Sequence, residues 1–132
     1  MQQAETDILI AGGGMVGAAL AVALKNTGLR IEVIEAVPPR SAGQPSYDDR
    51  STALAWTSRR ILETMGVWQQ LASQAGPIEQ VHVSQKGRLG ITRLTAAEEN
   101  LPALGYVVPN RALGQALMEA LAGIPSITLT TP

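Results

Sequence analysis

The chain has no cysteine and a single histidine, His82, and these two shortages remove several kinds of chemistry. Without cysteine there is no disulfide, no thiolate nucleophile and no zinc-thiolate site, a composition compatible with a reducing cytoplasm. One histidine without cysteine also excludes most Ser/His/Asp arrangements and metal-ligand clusters, and none is visible. An excess of charge is missing as well. Ten basic against 11 acidic residues leave a net charge of -1, so no bulk field favours a nucleic acid or an anionic membrane as partner. The stretch from residue 8 to 24 is apolar apart from its glycines, yet the glycines divide it into a strand and a helix, each too short to cross a bilayer. Glu5 and Asp7 precede it with no Lys or Arg, the wrong sign for a secretory leader. The chain therefore reads as soluble, with any membrane contact peripheral.

What is present is concentrated near the N-terminus. Gly12-Gly13-Gly14-Met15-Val16-Gly17 follows the apolar run Asp7-Ile8-Leu9-Ile10-Ala11 and leads into an alanine- and leucine-rich stretch. Glu35 closes a second apolar run, Ile31-Glu32-Val33-Ile34. This is a dinucleotide-binding fingerprint in its proper setting of strand, turn, helix and second strand. Gly12 permits the tight turn out of the strand, Gly14 lets a pyrophosphate approach the backbone, and Gly17 lets the helix pack against the sheet. The free N–H groups at the start of the helix and the positive end of its dipole face the phosphates. Glu35 stands close to the roughly 20-residue offset at which an acidic side chain accepts hydrogen bonds from a ribose.

The 132 residues make one ordinary domain. A βαβ unit is predicted over 6–35, with a continuously apolar and hence buried strand at 6–11 and a helix from about Met15 to Asn26 ended by Gly28. That helix carries Val16, Ala19, Leu20, Ala23 and Leu24 on one face at helical spacing. An irregular, Pro-, Gly- and Ser-containing loop follows over 36–51. Helices are predicted over about 57–75, the first with a hydroxyl start at Ser58 and a stop at Gly66. A β-rich insertion spans about 78–108, with a turn at Lys86-Gly87-Arg88. A helix over about 110–122 takes Asn110 as N-cap and repeats Leu113, Leu117 and Leu121, and residues 126–130 are strand-like. The fold class is α/β.

Several tempting residues read better as structure. His82 alternates outward between Val81 and Val83 and is a surface residue rather than a base. Arg59 and Arg60 coat the exposed face of their helix, and Trp56, Trp68 and the leucines of the last helix belong to the core. A nicotinamide-dependent dehydrogenase and a non-catalytic nucleotide-binding module both remain compatible with the fingerprint at this point.

The fingerprint with Glu35, the stretch Asp49-Arg50-Ser51-Thr52-Ala53-Leu54, the run Ser58-Arg59-Arg60-Ile61-Leu62 ending in Met65-Gly66-Val67-Trp68, and Gly105-Tyr106-Val107-Val108-Pro109-Asn110-Arg111 together resemble the ubiquinone-biosynthesis hydroxylases. These are single-component flavoprotein monooxygenases of the para-hydroxybenzoate hydroxylase type. Gly90-Ile91-Thr92-Arg93-Leu94 followed by Leu104-Gly105-Tyr106 is most similar to their 2-octaprenyl-6-methoxyphenol hydroxylase branch.

The resemblance implies a Rossmann-like FAD-binding fold with a parallel sheet and a small antiparallel β addition. It implies FAD in the fingerprint, held by Gly12, Gly14, Val16, Gly17 and Glu35, with Arg50 and Arg111 as basic side chains along the cofactor. A guanidinium offers forked donors suited to phosphate or ribityl oxygens. Arg111 sits in the first turn of a helix, where the dipole disfavours a cation unless an anion lies near. The implied reaction consumes NADPH or NADH and molecular oxygen and hydroxylates a prenylated phenol. The implied setting is the cytoplasm, with peripheral contact at the inner membrane and association with other ubiquinone-biosynthesis proteins. Members of the family also carry a later Gly-Asp stretch and a β-sheet substrate domain. Neither occurs before Pro132, so the chain is expected to be the N-terminal part of a longer enzyme and inactive by itself.

Overall fold

The computed structural model describes residues 6–38 and 50–132. In chain order it contains β1 (Ile8–Ala11), α1 (Met15–Ala23), β2 (Ile31–Ile34), β3 (Ser51–Ala55), α2 (Trp56–Thr64), α3 (Trp68–Leu71) and β4 (Gly76–Ile78). Then follow β5 (Gln80–Ser84), β6 (Ile91–Thr95), β7 (Gly105–Pro109), α4 (Asn110–Ala122) and β8 (Ile127–Thr130).

Three strands form a parallel sheet in the order β1-β2-β8. In register, Ile8 faces Ile31 and Ile31 faces Ile127. Parallel neighbours need a crossover, and α1 supplies the one between β1 and β2. One face of this sheet, with Ile10, Ile31, Val33 and Ile127 buried, joins the core. The continuous apolar run at β1 suggested burial on both sides, and here the structure differs. Leu9 and Ile34 alternate to the opposite face and remain 60% and 45% exposed, because period-2 alternation sends successive side chains to opposite faces. Glu32 shares that second face and accepts from the hydroxyls of Thr130 at 2.8 Å and Thr6 at 3.3 Å.

The apolar stripe read from α1 is also corrected. Its buried residues are Ala18, Ala21 and Val22, whereas Val16 is 85% and Leu20 49% exposed. Small side chains bring α1 close to the sheet and to α4, which packs against it. The larger residues face away from that contact. The helix stops at Ala23, ahead of the expected Asn26. The Thr27 hydroxyl donates to the Leu24 carbonyl at 2.7 Å, a local bond that competes with further helix.

The second sheet is antiparallel, in the order β3-β7-β4. Strand β3 begins at the last residue of the segment expected as loop and pairs Ser51 with Pro109 and Ala55 with Gly105. Residues 39–49 of that expected loop lie outside the described residues. Helix α2 begins directly after β3 with no side-chain cap, so Ser58 lies inside the helix and is not its start. Strands β5 and β6 make a separate hairpin, exposed along the whole of β5. His82 sits on that exposed strand opposite Arg93. Helix α4 buries Leu113, Leu117 and Leu121, each fully buried Leu contributing about 1.5–3 kcal/mol. No helix among the described residues is long and apolar enough to cross a membrane.

Candidate functional site

The glycine turn is built by the end of β1 meeting the start of α1. The Gly12 amide donates to the Ile34 carbonyl at 2.8 Å, carrying the ladder one residue past the strand. There the chain turns with Gly12 at φ +100°, a conformation that L side chains rarely adopt. A Cβ on Gly17 would stand 1.8 Å from the Gly12 carbonyl oxygen. Only glycine at position 17 lets the first turn of α1 rest on the end of the strand.

Gly14 is the N-cap of α1 at φ -64° and ψ -175°, with no side-chain cap and no acid in the first turn. The helical ladder starts with Ala18 donating to the Gly14 carbonyl at 2.9 Å. The amides before Ala18 have no intrahelical partner, and Val16 is one of them. A bare N-terminus at the positive end of the dipole is suited to a phosphate, so this part of the structure fits the diphosphate of FAD.

Glu35 follows β2, its own amide bonded to the Thr130 carbonyl at 2.9 Å. The residue is only 9% exposed. The carboxylate turns back over the glycine turn, where Oε2 accepts from the Gly13 amide at 2.6 Å and Oε1 from the Val37 amide at 2.9 Å. Buried carboxylates need such partners. A carboxylate beside the diphosphate turn also suits the ribose of an adenine nucleotide.

Arg50 and Arg111 lie beside the other sheet, one just before β3 and the other in the first turn of α4. The Arg50 carbonyl accepts from the Asn110 amide at 2.9 Å, so the residue before β3 meets the first turn of α4, and both arginines are exposed. Asn110 is the first helical residue and not the expected N-cap, a place taken by Pro109. Its Oδ1 instead accepts from the Thr52 hydroxyl at 2.6 Å. Between the two groups runs an apolar cleft of about 410 Å³ whose walls include Met15 and Val16 of α1, Thr52 and Leu54 of β3, Ile61 of α2 and Leu113 of α4.

Two residues escaped sequence reasoning. Gly13 is not demanded by the fingerprint, yet it holds Glu35. Arg59, expected on an exposed face, lies with its guanidinium 5.1 Å from the ring centres of both Trp56 and Trp68. Glu63 accepts its Nη1 at 2.5 Å and its Nη2 at 3.0 Å. Spacings of three and four put residues 56, 59 and 63 on one side of α2, which was the available signal. Trp68 in turn meets the edge of Tyr106 at 4.9 Å and is core, as expected, whereas Trp56 is only half-buried and stands outside the core cluster.

Comparisons with known proteins agree with this geometry. Residues 5–129 match the family described as FAD binding domain. The chain is 37% identical over 126 residues to ubiquinone hydroxylase UbiL of Rhodospirillum rubrum, covering 96% of this chain and 29% of that protein. It is 37% identical over 134 residues to 3-demethoxyubiquinol 3-hydroxylase of Escherichia coli, covering 100% of this chain and 34% of that protein. The chain thus spans about a third of the length of these relatives. Among solved structures, p-nitrophenol 4-monooxygenase PnpA of Pseudomonas putida superposes with a TM-score of 0.72 at 17% identity, over 96% of this chain and 31% of that one. PqsL of Pseudomonas aeruginosa, a probable FAD-dependent monooxygenase, gives 0.70 at 22% identity over 96% and 32%. At those identities the likeness speaks for the fold.

Proposed function

Because the chain belongs to the FAD-binding domain family, we propose that it is the FAD-binding part of an NAD(P)H- and oxygen-dependent hydroxylase acting on a polyprenylated phenol in ubiquinone biosynthesis. The observation that carries this reading is the bare α1 N-terminus behind the Gly12–Gly17 contact, with the Glu35 carboxylate beside it. The names of the relatives, ubiquinone hydroxylase and 3-demethoxyubiquinol 3-hydroxylase, support the substrate class.

In this reading Gly12, Gly14 and Gly17 shape the turn for the diphosphate, and the Val16 amide donates to it. Glu35 accepts from the adenosine ribose, and Arg50 and Arg111 lie along the rest of the cofactor. When bound, FAD supplies the electron transfer and the oxygen chemistry, and the protein binds, orients and excludes water. That division explains why no acid/base pair stands out among these residues. A substrate with a lipid tail supports peripheral contact with the inner membrane, and the reading places the enzyme in the cytoplasm, in contact with other ubiquinone-biosynthesis proteins.

A nicotinamide dehydrogenase would leave Arg50 and Arg111 without a role, and the family match does not favour it. Titration of the chain with FAD separates the two. Binding that changes the visible flavin spectrum supports the proposal, while tight NADH binding with no uptake of FAD would overturn it.

A further inference from the structure

We propose that position 13 sets the sugar specificity of this site by holding the Glu35 carboxylate in place, an inference that rests on Glu35 being the ribose acceptor. The fingerprint fixes glycine at 12, 14 and 17 and leaves 13 open. The geometry does not leave it open. Gly13 and Glu35 are both buried. A Cβ on Gly13 would stand 3.0 Å from the Glu35 Cβ, 3.3 Å from Oε2 and 3.4 Å from Cγ. Gly13 is not among the positive-φ glycines, so a side chain there meets Glu35 without backbone strain of its own.

The same contact orients the carboxylate. Its two oxygens each take one backbone amide, Gly13 on Oε2 at 2.6 Å and Val37 on Oε1 at 2.9 Å. Each oxygen of an ionised carboxylate has two acceptor sites, so one per oxygen is left. Two remaining acceptors in a fixed plane match the two donors of a vicinal diol. Since the amides hold the carboxylate before any ligand arrives, little ordering is left to be done on binding. A sugar lacking those hydroxyls leaves a buried acceptor unpaired, which is the arrangement that discriminates strongly. A branched side chain at 13 pushes the carboxylate off both amides and removes the discrimination, although the carboxylate itself is still present.

The test titrates the 132-residue chain with ADP and with 2′,3′-dideoxy-ADP, by calorimetry. Wild type is expected to prefer ADP by about tenfold or more. In Gly13→Val the ratio should fall to about one, with Gly13→Ala in between because its Cβ asks Glu35 to move only slightly. A wild-type ratio in folded Gly13→Val overturns the inference while leaving the ribose role of Glu35 intact. Equal affinity for the two nucleotides in wild type, or no ADP binding at all, removes the ribose role and this inference with it. Should Gly13→Val not fold, amide exchange decides. Slow exchange at Gly13 and Val37 in wild type, lost in Glu35→Ala, supports the clamp, and exchange unchanged in Glu35→Ala overturns it.

Discussion

A Cβ placed on Gly17 would stand 1.8 Å from the carbonyl oxygen of Gly12, well inside van der Waals contact. Five residues apart in sequence, the two glycines are the hinge on which α1 is laid against β1. The bare helix N-terminus is a consequence of that contact, because α1 aims its amides past the turn only when the two backbones touch.

Gly17→Ala should therefore do two things together. Overpacking at a backbone contact costs about 1–3 kcal/mol, and the displaced helix should lose FAD affinity. Denaturant midpoints and a flavin titration read both effects; a variant with wild-type values in each would show that the close contact is not required.

Glu35→Ala should weaken affinity for an adenine dinucleotide by about tenfold or more, since hydrogen bonds to a charged group are worth about 1.5–3 kcal/mol. The chain should still fold, which circular dichroism can check. An unchanged dissociation constant counts against the ribose assignment.

Arg59→Ala should destabilise the chain by about 1–3 kcal/mol, from two ring faces and the packed stem. Arg59→Lys should recover only part of this, because an ammonium cannot give Glu63 the two forked bonds of a guanidinium. Urea unfolding followed by tryptophan fluorescence measures it, and equal stability of Arg59→Lys and wild type would argue against a role for the forked guanidinium.

Asp7 gives a pH dependence with a definite sign. Side-chain hydrogen bonds from Arg30 first, then its backbone amide, hold the carboxyl below its ordinary 3.8, at about 2. The bonds are Arg30 Nε to Oδ2 at 3.1 Å, Nη2 to Oδ1 at 3.0 Å and the amide to Oδ2 at 2.8 Å. The unfolded chain binds the proton more tightly, so this contribution is present above pH 3.8 and lost as pH falls towards 2. Both side chains are partly exposed, and salt should weaken the effect. Comparing the acid limb of stability in wild type and Asp7→Asn tests it, and identical slopes would remove Asp7 from the account.

The α/β class and the glycine turn were legible because they are local. Strand, turn, helix and second strand follow one another within 30 residues, and each leaves its own pattern of apolar spacing or glycine. Strand β3 was not legible. Ser51-Thr52-Ala53-Leu54-Ala55 has small side chains and a weak alternation, and its partner β7 lies about fifty residues away, so pairing across the sheet decides its state. Asn110 was misplaced for a related reason. A capping residue looks the same in sequence whether its oxygen serves its own helix or, as here, the Thr52 hydroxyl on a distant strand. Arg59 was read as a surface charge because charge usually means solvent, and only the packing of α3 shows that two indoles flank it. The contact between Gly13 and Glu35 was hidden by the fingerprint itself, which treats position 13 as a spacer.

Among the described residues the β5–β6 hairpin is tied back by main-chain bonds at its root. Ala96 donates to the Glu79 carbonyl at 2.8 Å and Leu104 to the Ile78 carbonyl at 2.8 Å, closing the chain just before β7 returns to its place between β3 and β4. Residues can be inserted at the hairpin's tip around Gly87, or the arm shortened, without changing the register that ties Arg50 to Asn110, so this arm is where the fold can diversify while its grip on a cofactor stays the same.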